Sequence, residues 1–357
     1  MPDPLGRACL APKMPQRCLT VVDVAIFRTG KAGVLNKWLM NWINSPVVRA
    51  YIDVNSSGTT RKRISKGNLI AMELPVPPLP EQKRIADKLD ATLARVDACR
   101  ERLARVTPLL KRFRQSVLAA ATSGQLTADW REKQGYSHLG IDNKELQGYT
   151  NVHNVGWSDE ERPISAVHDE SWAPTPDGWR QKELSELCHS ITDGDHQAPP
   201  QAKTGIPFIT ISAINDGFLR LEKASRYVPI EYFEQLKDSR KPSRGDILFS
   251  VTGSICMPAL VEKNTNFTFQ RHIAILKTNT ELISSKFLYF VLSSEDIKKQ
   301  GLAVATGTAQ LTVSLKGLRA FQIRLPSLNE QTEIVRRVET LFAFADRLEA
   351  RLANASK

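Results

Sequence analysis

The chain has 357 residues, of which 41% are hydrophobic and 24% charged, and a formal net charge of +11. This length predicts two or three domains with cores of their own. No run of about 18 apolar residues is present, which excludes a membrane-spanning helix, and the start lacks the apolar core of a signal peptide. The positive charge suits a polyanionic partner, although a basic protein without such a partner fits it too.

The cysteines favour a reducing compartment. There are five, an odd number, and no Cys-x-x-Cys pair occurs among them. They are Cys9, Cys18, Cys99, Cys188 and Cys256. This pattern predicts neither a disulfide framework nor a zinc site, so we expect a cytoplasmic protein.

A long internal repeat is the most informative feature of the sequence. Residues 24–104 align with residues 273–353 without a gap, and 21 of the 81 aligned positions are identical. The chain therefore carries two copies of one unit. Residues 172–272 precede the second copy, and nothing in residues 1–23 resembles them. The first copy thus corresponds only to the rear portion of a domain, and we assign residues 1–78 to it.

A helix follows each copy. After Pro80 the apolar positions are spaced alternately four and three residues apart, which predicts a helix with a heptad seam over residues 79–124. Gly124 is placed to end it, and Pro108 is expected to kink it or to open a hydrogen bond. The second copy predicts a shorter helix over residues 329–357. The residues proposed for pairing are Ile85, Leu89, Val96 and Leu103 in the first helix and Ile334, Val338, Leu341, Leu348 and Leu352 in the second.

Two matched seams in one chain favour an intramolecular antiparallel pair, because pairing within a chain costs less entropy than pairing between chains. The alternative is a seam that serves only self-association. The same helix starts contain Glu81-Gln82-Lys83, which has the spacing of a nuclease motif. It recurs as Glu330-Gln331-Thr332, which indicates capping in the first helical turn rather than chemistry.

The region between the helices divides into a connector and a domain. Residues 123–178 carry 10 acidic and 4 basic side chains, and residues 125–171 are interpreted as an irregular connector. Short β-rich runs separated by turn residues follow, with a buried helix expected at Leu288–Leu292. The runs lie at 207–211, 246–251, 273–276 and 321–325. Residues 172–328 are therefore expected to form a mixed α+β domain.

The order of motifs resembles a target recognition domain of type I restriction-modification specificity subunits. The stretches GIPFITISAINDGFL, SRGDILFSVTGSI and ATGTAQLTVSLKGL follow one another as in that family, and LPEQKRI and LNEQTEI resemble the starts of its spacer helices. RFRQSVLAAATSGQLTADW is similar to the end of the family's central helix. The resemblance covers residues 24–130 and 172–353. It departs from the family pattern at the front, where the first recognition domain is cut short and residues 1–22 match nothing.

The resemblance implies an α+β fold with target recognition domains joined by long helices that form an antiparallel coiled coil. It implies a non-catalytic subunit without a cofactor that reads double-stranded DNA, each domain reading one half of a split target. Modification subunits would bind around the helices and supply methyl transfer, and a restriction subunit would add translocation and cleavage. A membrane partner is not implied.

Base recognition needs donors and acceptors on loops, and phosphate binding needs cations. The polar loop at the front of the complete domain offers Thr192, Asp193, Asp195, His196 and Gln197, and two small-residue loops offer Thr252, Ser254, Thr308 and Gln310. Turn chemistry is the alternative explanation for these loops. The phosphate candidates are Arg226, Lys241, Arg244, Lys298 and Lys299, with Arg61, Lys62 and Arg63 in the partial copy; solvated side chains are the alternative. Asp195-His196 lacks a second group of ligands, so no metal site is expected.

Three other functional hypotheses stay open at this stage. A scaffold would bind modification subunits without reading DNA. A homodimer would use residues 172–326 of each chain to read a palindromic target, because two-fold symmetry in the protein matches two-fold symmetry in DNA. A stand-alone nuclease or methyltransferase is disfavoured, since the sequence contains neither an Asn-Pro-Pro-aromatic motif nor a glycine-rich nucleotide fingerprint.

Overall fold

The computed structural model describes residues 5–13, 15–16, 19, 24–30, 33–58, 62–135, 175–214 and 217–355. The chain divides into two compact units, Met1–Val106 and Thr107–Lys357. Across the described ranges, no helix combines the length and the apolar character needed to cross a membrane.

The first unit is a small helical cluster with one short hairpin. Its core consists of Ile43, Val48 and Ile52, against which Leu5 packs. The elements are α1 (Asn36–Ile43), α2 (Pro46–Val54), β1 (Ser56–Ser57), β2 (Arg63–Ile64), α3 (Lys66–Ile70) and the first part of α4 (Leu79–Thr122). The predicted central helix is therefore present, and it is continuous through Pro108.

The second unit contains the rest of α4 and a mixed α+β domain. Its strands are β3 (Arg180–Glu183), β4 (Cys188–Asp193), β5 (Ile206–Ile209), β6 (Arg226–Val228), β7 (Ile247–Ser250), β8 (Pro258–Leu260), β9 (Thr268–Phe269), β10 (Ile273–Thr278) and β11 (Gln322–Leu325). Its further helices are α5 (Ala128–Lys133), α6 (Ile230–Glu234), α7 (Ser285–Leu292), α8 (Glu295–Val304), α9 (Leu315–Arg319) and α10 (Leu328–Ala355).

The main sheet has the strand order β4-β10-β7-β8, with antiparallel neighbours throughout. Smaller sheets join β6-β5-β9 and β11-β3. Successive side chains of β10 enter two different apolar cores, since Ala274 and Leu276 lie in one and Ile273 and Ile275 in the other. A strand buried on both faces loses the polar-apolar alternation, which explains its unbroken apolar run.

The predicted elements of this domain are confirmed with one shortened strand. The run at 207–211 was expected to be extended throughout, but β5 ends at Ile209. A tight 3₁₀ turn over Ile211–Ala213 replaces the rest, and it brings Ala213 into the core. The expected buried helix is α7.

The internal repeat is present in the backbone as well as in the sequence. When the residue numbers of the first copy are shifted by the spacing between the aligned copies, the bounds of α1 coincide with those of α7. The bounds of α3 coincide with those of α9 in the same way. Side-chain caps recur too, because Ser45 and Ser294 occupy matching positions and each accepts a hydrogen bond at a helix start. An ion pair between Lys37 and Asp90 recurs between Lys286 and Glu339, at matching positions of the two copies.

A buried glutamine fixes the start of the long helix in each copy. Gln82 donates through Nε2 to the carbonyl oxygens of Gly33 and Pro77 at 3.0 and 2.8 Å, and its Oε1 accepts from the Leu35 amide at 2.8 Å. Both glutamine side chains are 0% exposed. In the second copy, Gln331 donates to the carbonyl oxygens at 282 and 326, at 3.1 and 3.0 Å, and accepts from the amide at 284 at 2.7 Å. The three partners occupy matching positions, so the repeat extends to individual hydrogen bonds.

The two copies differ at the segment that forms β10 in the second copy. Val24, Ile26 and Phe27 match the buried residues of β10, but they are about half exposed and lie in a segment without strand structure. β10 is flanked by β4 and β7, which belong to the front portion of the domain. Among the described residues of the first unit no such strands are present, so the matching segment is not a strand.

Position 52 shows how the first unit closes its own core. Its counterpart is Gly301, where an added Cβ would lie 2.1 Å from the Cys256 sulfur. Cys256 belongs to the front portion of the complete domain and fills that space. In the first unit Ile52 is buried instead and packs against Leu5. A larger side chain therefore replaces the missing neighbour.

The interpretation of residues 125–171 as an irregular connector is wrong for its first part. Residues 125–127 form a 3₁₀ turn and lead into α5. Thr127 and Arg131 bind the Glu330 carboxylate, so this stretch packs against the start of α10. The sequence signal failed because the segment is polar, and its burial depends on an ion pair rather than on apolar contacts. The connector beyond residue 135 lies outside the described residues.

The second part of α4 pairs with α10 in an antiparallel arrangement. Arg114 Nη2 donates to Asp346 at 2.6 Å, whereas Arg337 binds the Leu126 carbonyl and the Asp129 carboxylate beyond the end of α4. Residue numbers therefore increase along α4 in the direction in which they decrease along α10. The apolar residues between them belong to one cluster that includes Val117, Leu118, Ile334 and Val338.

The predicted pairing residues of α10 differ in their burial. Ile334 and Val338 are fully buried and Leu341 packs against the same cluster, while Leu348 and Leu352 are half-buried. Pairing by Ile85, Leu89, Val96 and Leu103 stays a prediction.

An acid-sensitive contribution to the stability of α10 is expected from Glu333. Bonds from Arg336 and then from Arg337 lower the pKa of Glu333 to about 2, from 4.5. A carboxylate whose pKa is depressed by folding stabilises the protein above its unfolded pKa, and this contribution disappears as the pH falls through the folded pKa. We expect the free energy of unfolding of the Glu333→Gln variant to fall less than that of the wild type between pH 4.5 and pH 2. Urea unfolding over a pH series measures this, with exposed Glu132→Gln as the control; equal acid slopes for wild type and Glu333→Gln would contradict it.

Candidate DNA interface

Three of the predicted loops meet at one edge of the main sheet. β4 and β7 flank β10 and run antiparallel to it, so both end where β10 begins. The loop after β4 and the loop after β7 therefore leave the sheet at the same edge. The loop around residues 306–312 contacts the loop after β7 and so lies at this edge too, because Gly253 N donates to Leu311 O at 2.8 Å and the Thr252 and Thr312 hydroxyls lie 3.5 Å apart.

The loop after β4 has a fixed backbone. Gly194 N donates to Ile273 O at 3.2 Å, Asp195 N donates to Phe269 O at 3.1 Å, and Arg271 N donates to Asp195 O at 3.3 Å. A Cβ at Gly194 would lie 2.1 Å from the Phe269 carbonyl oxygen. Only glycine allows the two backbone segments to approach this closely.

Gly194→Ala is therefore expected to destabilise the second unit by about 1–3 kcal/mol, because the added methyl group overpacks a backbone contact that cannot move independently. Gly67→Ala is the matched control. At Gly67, inside α3, the nearest atom to an added Cβ is the Ser65 hydroxyl oxygen at 3.7 Å, and alanine favours the helix. Thermal unfolding of the two variants measures the difference in stability. An equal change in melting temperature in both would show that the backbone contact at Gly194 relaxes to accommodate the methyl group.

Arg240, which the sequence analysis did not single out, lies between the two carboxylates of this loop. Its guanidinium nitrogens are 3.6 Å from Asp193 Oδ1 and 3.7 Å from Asp195 Oδ1. Burial and a hydrogen bond with Asp195 raise the pKa of Tyr232 to about 12. The sequence around Arg240 contains several basic residues, and no pattern there distinguishes the one that meets the aspartates.

The other polar candidates divide into anchored and exposed groups. Thr192 Oγ1 donates to Ser239 O at 3.1 Å, and the Ser254 carbonyl accepts from Ser250 Oγ at 2.5 Å. In contrast, the exposed candidates are His196, Gln197, Ser254, Thr308 and Gln310; the bond at Ser254 involves only its backbone carbonyl. His196 Nε2 lies 2.7 Å from Asp193 Oδ2, yet 62% of the histidine side chain is exposed. Contacts of any of these groups with DNA stay predictions.

The phosphate candidates are scattered, and several have partners within the protein. The Arg226 guanidinium stacks on the Phe208 ring at 4.5 Å. Lys241 Nζ donates to Glu234 O, Lys298 Nζ lies 2.8 Å from Glu295, and Lys62 Nζ lies 3.9 Å from Asp53. Arg63, Arg244 and Lys299 are exposed, and Arg61 lies outside the described residues. Among the part of the chain that the structure describes, no group of three His, Cys, Asp or Glu side chains could hold a metal ion.

The family model for the type I restriction modification DNA specificity domain matches residues 37–107 and 176–355. The chain belongs to this family. Among curated relatives, the specificity subunit of the type I restriction enzyme EcoBI from Escherichia coli is 34% identical over 307 residues, which are 85% of this chain and 58% of the relative. The EcoKI specificity subunit from Escherichia coli strain K12 is 25% identical over 348 residues, which are 96% of this chain and 66% of the relative. The chain thus spans less than two thirds of the length of these family members.

Two solved structures share the fold. The HsdS subunit from Thermoanaerobacter tengcongensis superimposes with a TM-score of 0.54 at 19% identity, covering 92% of this chain and 66% of that subunit. A chain from a structural study of complex assembly and conformational transition in a type I restriction-modification system gives a TM-score of 0.58 at 19% identity, covering 89% of this chain and 66% of that one. These likenesses agree with an α+β domain carried by long paired helices.

Proposed function

We propose that this chain is the DNA-recognition subunit of a type I restriction-modification complex. The observation that carries the proposal is the meeting of three polar loops at one sheet edge, in a family whose members are named specificity subunits. The positive net charge of the chain supports it, because phosphate contacts supply much of the affinity of DNA-binding proteins.

The chain would be non-catalytic in this complex. Modification subunits would bind around the long helices and methylate DNA, and a restriction subunit would translocate and cleave it. Exposed apolar side chains on each helix support such partner contacts, since Leu93 on α4 is 51% exposed and Phe344 on α10 is 50% exposed.

The experiment is to co-express this chain with the modification subunit of the same system and to map methylated bases across the host genome. A split target with two parts would support recognition in which the first unit, or a companion, reads one half. A palindromic target would indicate a homodimer in which residues 172–326 of each copy read one half.

The result that would overturn the proposal is a stable complex, seen as one species on a sizing column, without methylation of any defined sequence. The chain would then be a scaffold for modification subunits. Binding to double-stranded DNA provides a second readout, because a specific reader shows salt-sensitive and sequence-selective affinity and a pure scaffold shows neither.

A further inference from the structure

We propose that His196 and Gln197 form a base-reading tip for double-stranded DNA, and that Arg240 is a positioning residue that fixes this tip. The inference rests on the proposed function and adds to it which side chains of the sheet edge meet the bases and which only hold them in place.

The first step is the rigidity of the tip. Direct reading of a base edge needs side chains held in place by their surroundings, because a mobile side chain loses entropy when it binds. The backbone on both sides of Gly194 is bonded to the segment 269–273 by three hydrogen bonds. Two residues further on, His196 and Gln197 leave this frame and are exposed.

The second step concerns the two carboxylates beneath the tip. Asp193 and Asp195 are 17% and 10% exposed, and each would repel DNA phosphates if it were uncompensated. Arg240 faces both of them. The aspartates therefore interact with a cation of the protein itself, and Arg240 compensates part of their negative charge.

The third step is the chemistry that remains available. Asp193 accepts from His196 Nε2 at 2.7 Å, which leaves Nδ1 of the ring free to accept or donate according to its protonation. The Gln197 amide offers both a donor and an acceptor, the pair that binds adenine in the major groove.

A phosphate contact and a positioning residue at Arg240 predict different effects of its loss on DNA binding. A cation that merely contacts phosphate supports affinity equally on all sequences, and its loss lowers the dependence of binding on salt. A positioning residue changes which sequence is chosen, because the tip above it moves. Arg244 provides the matched control, since it is an exposed cation that precedes β7 and therefore lies at the end of the main sheet away from the tip.

The experiment uses the full chain co-purified with its modification subunit and a library of random double-stranded DNA, from which bound sequences are enriched and read. The variants are His196→Ala, Gln197→Ala, Arg240→Met and Arg244→Met. We expect His196→Ala and Gln197→Ala to lose preference at one or two base positions of the enriched motif, by on the order of ten-fold. Arg240→Met should lose preference at the same positions, and Arg244→Met should keep the motif.

The outcomes separate the inference from the function it rests on. If the wild-type complex enriches no motif, the proposed recognition function fails and the inference fails with it. If the wild type enriches a motif that survives intact in His196→Ala and Gln197→Ala, the tip does not read bases. A motif that is kept in Arg240→Met but bound more weakly would make Arg240 a phosphate contact. Thermal unfolding identifies an Arg240→Met protein that does not fold. In that case the His196→Ala and Gln197→Ala variants, whose side chains are exposed, test whether the tip reads bases.

Discussion

Gln331→Leu is expected to lower the free energy of unfolding of the second unit by about 3 kcal/mol or more, because each buried polar group left without a partner costs about 1–3 kcal/mol. Leucine has a similar volume, but it cannot bind the two carbonyl oxygens and the amide that Gln331 satisfies. Water cannot replace these bonds, since the glutamine side chain is 0% exposed. Urea unfolding of the full chain, with hydrogen exchange to locate the affected segments, measures the effect.

The repeat supplies an unusually close control for this prediction. Gln82→Leu removes the matching bonds in the first unit, so exchange should increase around α1 and the start of α4 and stay unchanged in the main sheet. Exposed Gln235→Leu should change neither unit by more than about 0.5 kcal/mol. A Gln331→Leu protein as stable as the Gln235→Leu protein would show that the buried bonds are dispensable.

Arg131→Met is the second large effect, with an expected loss of about 3–5 kcal/mol, because removing one member of a buried ion pair leaves the other charge uncompensated. Arg131 Nη1 binds Glu330 Oε1 at 2.5 Å. The Glu330 side chain is only 5% exposed and also accepts from Thr127 and from the Trp179 indole. Chemical denaturation of the second unit, followed by circular dichroism, measures the loss.

Arg84→Met is the matched control. Arg84 binds Glu81, which occupies the position of Glu330 in the first copy, but the Glu81 side chain is 41% exposed. An exposed pair of this kind contributes little to stability. In the double variant Arg131→Met, Glu330→Gln we expect part of the stability to return, because the unpaired charge is gone; a double variant no more stable than Arg131→Met would place the cost in lost packing instead.

The comparison of these two glutamates illustrates what the sequence could predict. Glu81 and Glu330 share a motif, a helical turn and a place in the repeat, and capping was the reasonable interpretation of both. Their surroundings differ because Thr127, Arg131 and Trp179 reach Glu330 from segments far away in the chain. No local pattern records which distant residue will meet a carboxylate.

The elements themselves were predictable where an apolar period or a buried run marks them. The heptad spacing predicted α4 and α10, and the apolar runs predicted β7, β10 and β11. The burial of Gln82 and Gln331 could also have been inferred, because a polar residue repeated at the same position of two diverged copies needs a structural reason. Arg240 could not, since its role depends on the fold that brings it to Asp193 and Asp195.

The bonds of Gln331 also bear on which part of the domain could be exchanged for another. All three of its partners lie between residues 282 and 326, downstream of the segment that carries the loops after β4 and β7. The first unit keeps the same arrangement around Gln82, although residues like 175–272 have no match in it. The bonds of Gln331 are therefore independent of the upstream segment, although Trp179 of that segment binds Glu330 on the same helix. Recombination between related genes could replace the upstream segment as one block without disturbing the bonds of Gln331, provided that the replacement keeps a partner for Glu330.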